Sequence, residues 1–155
     1  MKTNLETALE FTLGWECGKN KDGSLKDGYT NDPTDPGGET KYGISKRAHP
    51  TIDIKNLTLD GAIAIYGKEY WEPAGCSSLE LPLAVCVFDT AVNMGVKRAL
   101  QFLQNTKEPT EYTALRRNRY YDIVAKNPSQ QKYLNGWLNR IIDLRKYVDI
   151  LTTQK

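Results

Sequence analysis

Residues 83–94 have the sequence LAVCVFDTAVNM, which is apolar on nearly every face of a helix. A helix that is apolar all round lies in a protein interior, because it has no polar face to offer to water. Gly95 follows at once and is typical of a helix end. We therefore expect residues 83–94 to form the buried central helix of a mainly α-helical fold.

The segments on both sides of this helix also carry helical patterns. Thr3 and Glu6 form a T-x-x-E capping box that opens a helix over 3–17, with Gly18 as its stop. Thr58 caps a second helix that runs to about Trp71. After the central helix the pattern predicts a short helix to about residue 104, one over 110–126, and a last one from residue 129.

Residues 18–43 differ in composition, since they contain six of the twelve glycines. Long loops without helices or strands are uncommon in compact domains and are usually functional when present. Lys26–Tyr29 and Asp35–Gly38 carry turn residues, so a small hairpin is expected within this segment.

The composition excludes several classes of protein. The net charge of +2 is spread along the chain, whereas strong nucleic-acid binding usually leaves a heavier basic footprint. The three cysteines, without C-x-x-C spacing, are neither a disulfide framework nor a zinc site. No pattern of metal ligands is present and His49 is the only histidine, so we predict no metal, no cofactor and no histidine-dependent catalysis.

The N-terminus lacks the continuous apolar region of a signal peptide, and no stretch approaches the ~18 apolar residues of a membrane span. We therefore expect synthesis in a cytoplasm, no stable membrane insertion, and release by another component if the target lies outside. The sequence gives no sign of oligomerisation, and we expect a monomer.

Glu16 is the first candidate for chemistry. It lies on the apolar stripe of the first helix, in its last turn, beside the glycine-rich loop. Burial and the negative end of the helix dipole would both raise the pKa of such a carboxyl, which is what a general acid requires. The alternative is a structural glutamate that caps loop amides or pairs with a lysine.

The loop supplies a second group of polar residues, among them Asp35 and Thr40. A polar group opposite an acid could orient water or stabilise an oxocarbenium ion, although Asp-Pro-Gly-Gly is also ordinary turn chemistry. Tyr29 and Tyr42 could contact sugar rings, or could simply pack.

Asp89 and Asn93 stand four apart on the central helix and need partners there. Either they hold the loop against the helix, or Asn93 points into a cleft and binds sugar. The arginine-rich run at 116–119 is most simply a solvated helix face.

Several motifs together resemble glycoside hydrolase family 108, whose members are N-acetylmuramidases, many of them endolysins of bacteriophages and prophages. In the first half of the chain they are Trp15–Gly18, Asn31–Pro33 and Asp35–Ile44. In the second half, Tyr70–Cys76, Phe88–Gly95, Leu103-Gln104 and Gly136–Arg140 resemble the peptidoglycan-associated region that follows in this family.

The resemblance implies a lysozyme-like fold in one domain, 1–155, with the catalytic signature in 1–45 and a helical region in 58–152. It also implies hydrolysis of the β-1,4 bond between N-acetylmuramic acid and N-acetylglucosamine in bacterial peptidoglycan, with Glu16 as general acid. A looser comparison with phage lysozymes makes Asp35 and Thr40 candidates for holding the attacking water. The substrate-binding candidates are Tyr29, Tyr42 and Asn93, and an endolysin role allows holin-dependent release.

The chain departs from the family at residues 20–30, which read as an insertion between Glu16 and the Asn-Asp-Pro segment. A rival alignment replaces the acid with Asp27, but the helix and Trp15 before Glu16 favour Glu16. Two other functions stay open at this point, a lytic transglycosylase on the same scaffold and a non-catalytic peptidoglycan-binding module.

Overall fold

The computed structural model describes residues 1–154 and is mainly α-helical, which confirms the fold class predicted from the sequence. The α-helices of the described residues are α1 (Asn4–Glu16), α2 (Leu59–Tyr66), α3 (Leu81–Met94), α4 (Val96–Leu103), α5 (Pro109–Lys126) and α6 (Gln131–Thr153). The strands β1 (Thr40–Lys41) and β2 (Ile44–Ser45) form one small antiparallel pair.

Contacts within the chain divide it into two compact units, Met1–Glu69 and Tyr70–Lys155. The first unit contains α1, both strands and α2, and the second contains α3 to α6. The catalytic signature predicted for 1–45 lies entirely in the first unit, whereas the predicted helical region 58–152 crosses the division. A single domain over 1–155 stays a prediction.

In the first unit, α1 begins and ends where its sequence signals predict. The Thr3 hydroxyl accepts a hydrogen bond from the Glu6 amide at 3.1 Å, and the Thr3 amide donates to the Glu6 carboxylate at 2.6 Å. This reciprocal pair satisfies two amides that the first helical turn leaves unpaired. At the other end, Gly18 takes a φ of 85°, which glycine adopts without steric cost.

The loop after α1 contains three turns that reverse the chain, and smaller turns at Asp27 and Asp32. The first, around Asp22 and Gly23, is closed by a bridge between Lys19 and Leu25, and the Asp22 carboxylate accepts bonds from the Ser24 amide and hydroxyl. The turn residues predicted at Lys26–Tyr29 form a smaller Asx turn, in which the Asp27 carboxylate accepts the Tyr29 amide at 3.0 Å and Gly28 has a φ of 63°.

The second turn confirms the prediction at Asp35–Gly38, where the Gly38 amide donates to the Asp35 carbonyl at 3.0 Å. The third joins β1 to β2 through Tyr42 and Gly43, which both have positive φ, at 51° and 74°. Two successive positive φ angles characterise the tight turns that connect antiparallel strands.

The helix predicted from Thr58 to Trp71 is present, but its second part is π-helical instead of α-helical. Thr58 caps α2 by accepting a bond from the Gly61 amide at 3.0 Å. After Tyr66 the helix continues as a π-helical segment, Gly67–Trp71. Such segments are rare and mostly short.

In the second unit, α3 is the buried central helix that the sequence predicts. Ten consecutive residues of it, from Pro82 to Ala91, are buried, and Gly95 ends it with a φ of 95°. Pro109 occupies the first turn of α5, and a short 3-10 segment, Pro128–Gln130, precedes α6.

An ion cluster lies in the interior of the second unit. The Asp89 carboxylate accepts from Arg116 Nη1 at 2.7 Å and from Arg140 Nη2 at 2.8 Å, and the side chains of Asp89 and Arg116 have no exposed surface. Burial raises the pKa of Asp89, but the two guanidiniums outweigh it and hold that pKa below its usual value.

This cluster corrects one expectation. Arg116 is fully buried and does not belong to a solvated helix face, although Arg117 and Asn118 beside it are exposed. Asp89 and Asn93 have the partners that the sequence predicts they need, in side chains of α5 and α6, and their contact with the glycine-rich loop stays a prediction. Asp89 can remain charged inside the unit because two cations compensate for its lost hydration.

In residues 1–154, no helix is long and apolar enough to cross a membrane. All three cysteines are free thiols, with Cys76 and Cys86 buried and Cys17 half-buried.

Candidate active site

Glu16 is the last residue of α1 and its side chain is exposed. The predicted burial of Glu16 is therefore wrong. Leu9 and Leu13 on the same stripe are buried, but Trp15 beside Glu16 is 37% exposed. The last turn of the helix leaves the apolar core of the unit and presents the carboxylate at the surface, where a large substrate could reach it.

The β1–β2 turn lies against this end of α1. A Cβ atom added to Gly43 would stand 3.9 Å from Glu16 Cβ and would overlap the Tyr66 hydroxyl. That hydroxyl donates to the Tyr42 carbonyl at 2.7 Å and so anchors the turn to α2. Gly43 is thus required both by its φ of 74° and by the close approach of the Tyr66 hydroxyl.

An open cleft of about 580 Å³ lies in the first unit, lined by Asp27, Tyr29 and Tyr42 among others. The Tyr42 amide donates to the Asp27 carbonyl at 2.6 Å, which joins the two sides of the cleft. Tyr29 donates its hydroxyl to Glu39 at 2.8 Å, and this bond raises the pKa of Tyr29. Both tyrosines predicted to contact substrate therefore line one cleft.

Cys17 follows Glu16 directly and packs against the Asp27-Gly28 segment. Burial raises the pKa of the Cys17 thiol to about 11, and the negative charges of Glu16 and Asp27 add to that effect. The added Cβ of Gly28 would lie 3.3 Å from Cys17 Sγ, so the Asp27-Gly28 segment packs directly over the end of α1. At neutral pH the thiol stays protonated, which argues against a nucleophilic role.

Asp35 and Thr40 are held by their own loop. The Asp35 carboxylate accepts a bond from the Gly37 amide at 2.8 Å, as in an ordinary Asx turn. Thr40 exchanges two backbone hydrogen bonds of 2.9 Å with Thr30 and belongs to the hairpin whose turn contacts Glu16. The roles of Asp35 and Thr40 in catalysis stay predictions.

Asn93 belongs to the second unit, at the end of α3, where it accepts a short hydrogen bond from the Tyr120 hydroxyl. Its predicted role in binding sugar stays a prediction. Among residues 1–154, no group of three or more histidine, cysteine or acidic side chains is arranged to hold a metal ion.

The comparison with known families agrees with this geometry. Residues 9–95 match the family described as Glycosyl hydrolase 108, a range that includes Glu16, the glycine-rich loop and the β1–β2 turn. The chain belongs to this family. Residues 96–142 match a second family, described as Predicted Peptidoglycan domain. The chain is therefore a family 108 glycoside hydrolase with a peptidoglycan-type region after it.

The boundary between the two matches falls at 95/96, whereas the compact units divide at 69/70. The helix α3 thus belongs to the hydrolase family by sequence and to the second unit by its contacts. The helix α3 packs against α4, α5 and α6, and the bonds of Asp89 to α5 and α6 are part of that packing.

Among solved structures, the chain is similar to one titled "Structure of Brucella abortus SagA". The two share 19% identity over 93% of this chain and 92% of that chain, with a TM-score of 0.65. This likeness supports the lysozyme-like helical fold predicted from the sequence. A search of curated proteins finds no significant match.

The place of Asp27 in the cleft is what sequence reasoning missed. Asp27 was expected within a turn or as a rival to the acid; its carboxylate accepts the Tyr29 amide at 3.0 Å, and it also lines the cleft together with both tyrosines. The Asp-Gly pair at 27–28 indicates only a turn, so no local signal pointed to the cleft.

Proposed function

We propose that this protein hydrolyses the β-1,4 bond between N-acetylmuramic acid and N-acetylglucosamine in peptidoglycan, with Glu16 as general acid. The observation that carries the proposal is the position of Glu16. It ends α1 against the β1–β2 turn, whose Tyr42 lines a 580 Å³ cleft, and it lies within the residues that match the hydrolase family.

In this proposal Glu16 donates its proton to the glycosidic oxygen while the bond from that oxygen to the muramic acid C1 breaks. The leaving sugar departs as an alcohol, and the developing oxocarbenium ion is taken by water, whose proton a carboxylate accepts. Because Glu16 is exposed, a sugar chain can reach its carboxyl group, and the bound chain would exclude bulk water from it.

The carboxylate that accepts the proton of the attacking water is proposed to come from the loop. Asp35 and Thr40 are the residues that the looser comparison with phage lysozymes suggests. The structure favours a competitor, Asp27, because Asp27 lines the cleft with both tyrosines and its segment packs on Cys17, next to Glu16. Each of the two carboxylates accepts one amide, from Tyr29 at Asp27 and from Gly37 at Asp35, so the position in the cleft is what separates them.

Sugar binding is assigned in this proposal to Tyr29 and Tyr42. Each presents a ring that can lie against a pyranose and a polar hydroxyl at its edge. Tyr29 is held by Glu39 and Tyr42 by its tight turn, so both rings are positioned before substrate arrives.

The decisive experiment compares the wild-type protein with Glu16→Gln on purified peptidoglycan. Loss of a general acid costs roughly 10²–10⁴-fold in rate, while the exposed position of Glu16 should leave the melting temperature nearly unchanged. Turbidity loss measures the rate, and Glu10→Gln, an exchange on the same helix, is the matched control. A folded Glu16→Gln protein with near-normal activity would refute this assignment.

Mass spectrometry of the released fragments separates the alternatives. Hydrolysis leaves reducing muramic acid ends, whereas a lytic transglycosylase leaves a 1,6-anhydro product that is one water lighter. Binding to peptidoglycan without any soluble product would instead indicate a non-catalytic module.

An endolysin role is part of the same proposal, with the protein made in the host cytoplasm and acting on the cell wall after release by a holin. Expression in a bacterial cytoplasm should then lyse cells only when a holin is co-expressed, which culture turbidity measures. Size-exclusion chromatography tests the expected monomer.

A further inference from the structure

We propose that a pocket in the second unit binds a free carboxylate of the peptide stem of peptidoglycan. This cationic pocket, of about 270 Å³, is lined by Arg98, Arg119, Asn93, Tyr120 and Trp137, together with two apolar side chains. The inference rests on the proposed substrate but concerns its peptide part, which a glycan-cleaving centre need not touch.

The pocket is built by four helices. Asn93 comes from α3, Arg98 from α4, Arg119 and Tyr120 from α5, and Trp137 from α6. A site assembled on helices is held more precisely than one assembled on loops. Most of its residues fall within 96–142, the region of the peptidoglycan-type match.

The two arginines give the pocket its charge. Both are partly buried, and within residues 1–154 neither guanidinium has a hydrogen bond or an ion pair. No acidic side chain of the described residues lines the pocket. Arg116 and Arg140 contrast with them, because Asp89 compensates both. Two uncompensated guanidiniums in one concave site favour an anion, above all a planar carboxylate that can accept paired N–H groups.

A chain of hydrogen bonds fixes the third polar group. Arg116 Nε can only donate, and it donates to the Tyr120 oxygen at 3.0 Å. The Tyr120 hydroxyl in turn donates to Asn93 Oδ1. The Asn93 amide group, Nδ2, is thereby left to donate, so the polar groups around the pocket are donors and match an anion.

The remaining wall is apolar and rigid. The rings of Tyr120 and Trp137 stack at 4.9 Å with an interplanar angle of 18°. Met94 and Ile123 complete this wall, and both pack on the buried cluster that includes Tyr120 and Leu134. A wall of this kind fits a short apolar side chain next to the carboxylate, such as the alanine residues of a peptide stem, and offers nothing to inorganic phosphate.

Titration of the full-length protein with a synthetic stem tetrapeptide tests the proposal. The Trp137 indole N–H resonance in a ¹⁵N spectrum reports on the pocket itself. We expect the peptide to shift this resonance, and Arg98→Gln and Arg119→Gln each to weaken binding by about tenfold or more. Arg117→Gln removes the same charge from an exposed position on α5, the helix that carries Arg119, and should leave the affinity unchanged.

Titrations with different ligands identify the chemical group that the pocket recognises. The same tetrapeptide with an amidated C-terminus should bind at least about tenfold more weakly, as expected for loss of a charge-assisted hydrogen bond. Equal binding of the amidated peptide would overturn the proposal, and so would a shift caused by inorganic phosphate but not by the peptide. An Arg117→Gln effect as large as that of Arg98→Gln would also overturn it, since the attraction would then be general.

The Glu16→Gln protein separates this proposal from the proposed function. It should bind the tetrapeptide with unchanged affinity whether or not it cleaves glycan. If the wild-type protein cleaves glycan but does not bind the peptide, only the proposal for the pocket is overturned. If the wild-type protein binds the peptide but does not cleave glycan, only the hydrolase assignment is overturned.

Discussion

The two units use their charged residues in opposite ways. In the first unit Glu16 and Asp27 lie at the surface, Asp27 lines an open cleft, and the loop is held by turns and short backbone bridges. In the second unit Asp89 and Arg116 lie in the interior and bond across helices. A charge at the surface can meet a substrate, whereas a buried charge is satisfied by the protein and contributes to its packing.

The same contrast appears in what holds each region in place. The loop of the first unit relies on glycines at positive φ, such as Gly43, and on side-chain-to-backbone bonds within a few residues. The second unit relies on contacts between residues far apart in sequence, such as Asp89 and Arg140. Substitutions should therefore affect mainly local geometry and activity in the first unit and global stability in the second.

The largest expected effect is on the stability of the second unit. Asp89→Asn leaves two buried guanidiniums without a counter-charge and should lower the free energy of unfolding by about 3–5 kcal/mol. Chemical denaturation measures this loss. Asp122→Asn removes an exposed carboxylate of α5 and should change almost nothing. Equal stability of the two variants would show that the cluster does not stabilise the unit.

Gly43→Ala should produce the next largest effect. An alanine at φ 74° costs about 1–2 kcal/mol, and its methyl group must also displace the Tyr66 hydroxyl from the Tyr42 carbonyl. Activity should fall as well, because the displaced turn lies beside Glu16. Gly23→Ala is the control, since Gly23 has a φ of 87° but no atom near its added Cβ. Gly23→Ala should lose only the stability that the strained backbone angle costs. An equal loss of stability in both variants would show that the clash with the Tyr66 hydroxyl does not contribute.

Acid should act on the second unit through Asp89. The folded-state pKa of Asp89 lies below its unfolded value, so its contribution to stability is complete above about pH 4–5. That contribution is lost as the pH falls through the folded-state pKa. The difference in unfolding free energy between wild type and Asp89→Asn should thus be constant near neutrality and shrink in acid. A difference that grows in acid would contradict the sign of the shift.

The smallest expected effect compares two loop carboxylates. Asp27→Asn should lower the turnover of peptidoglycan by about tenfold if the Asp27 carboxylate accepts the proton of the attacking water. Asp35→Asn should lower turnover less, because Asp35 does not line the cleft that Asp27 shares with both tyrosines. Initial rates of turbidity loss on matched amounts of folded protein rank the two variants. The reverse ranking would assign the water to Asp35, as the comparison with phage lysozymes suggests.

Particular residues show why some of this could be predicted and some could not. The ends of α1 and α3 follow from local chemistry, a capping box at Thr3 and glycines at 18 and 95, so they were predicted correctly. Arg116 was assigned to the surface because arginine usually lies there, although it shares an i, i+4 stripe with Tyr112 and Tyr120 that indicates an interior position. Its partner Asp89 is 27 residues away, and no local pattern specifies that pair.

The sequence by itself determined the helices, the buried central segment, the family and the choice of Glu16 as candidate acid. Local spacing and capping carry that information because each signal spans only a few residues. Tertiary structure alone decided that Glu16 is exposed, that Asp27 shares its surroundings, and that Arg116 is buried while Arg98 and Arg119 line an open pocket. Exposure and ion pairing depend on which distant segments meet, and the pattern within one helix does not contain that information.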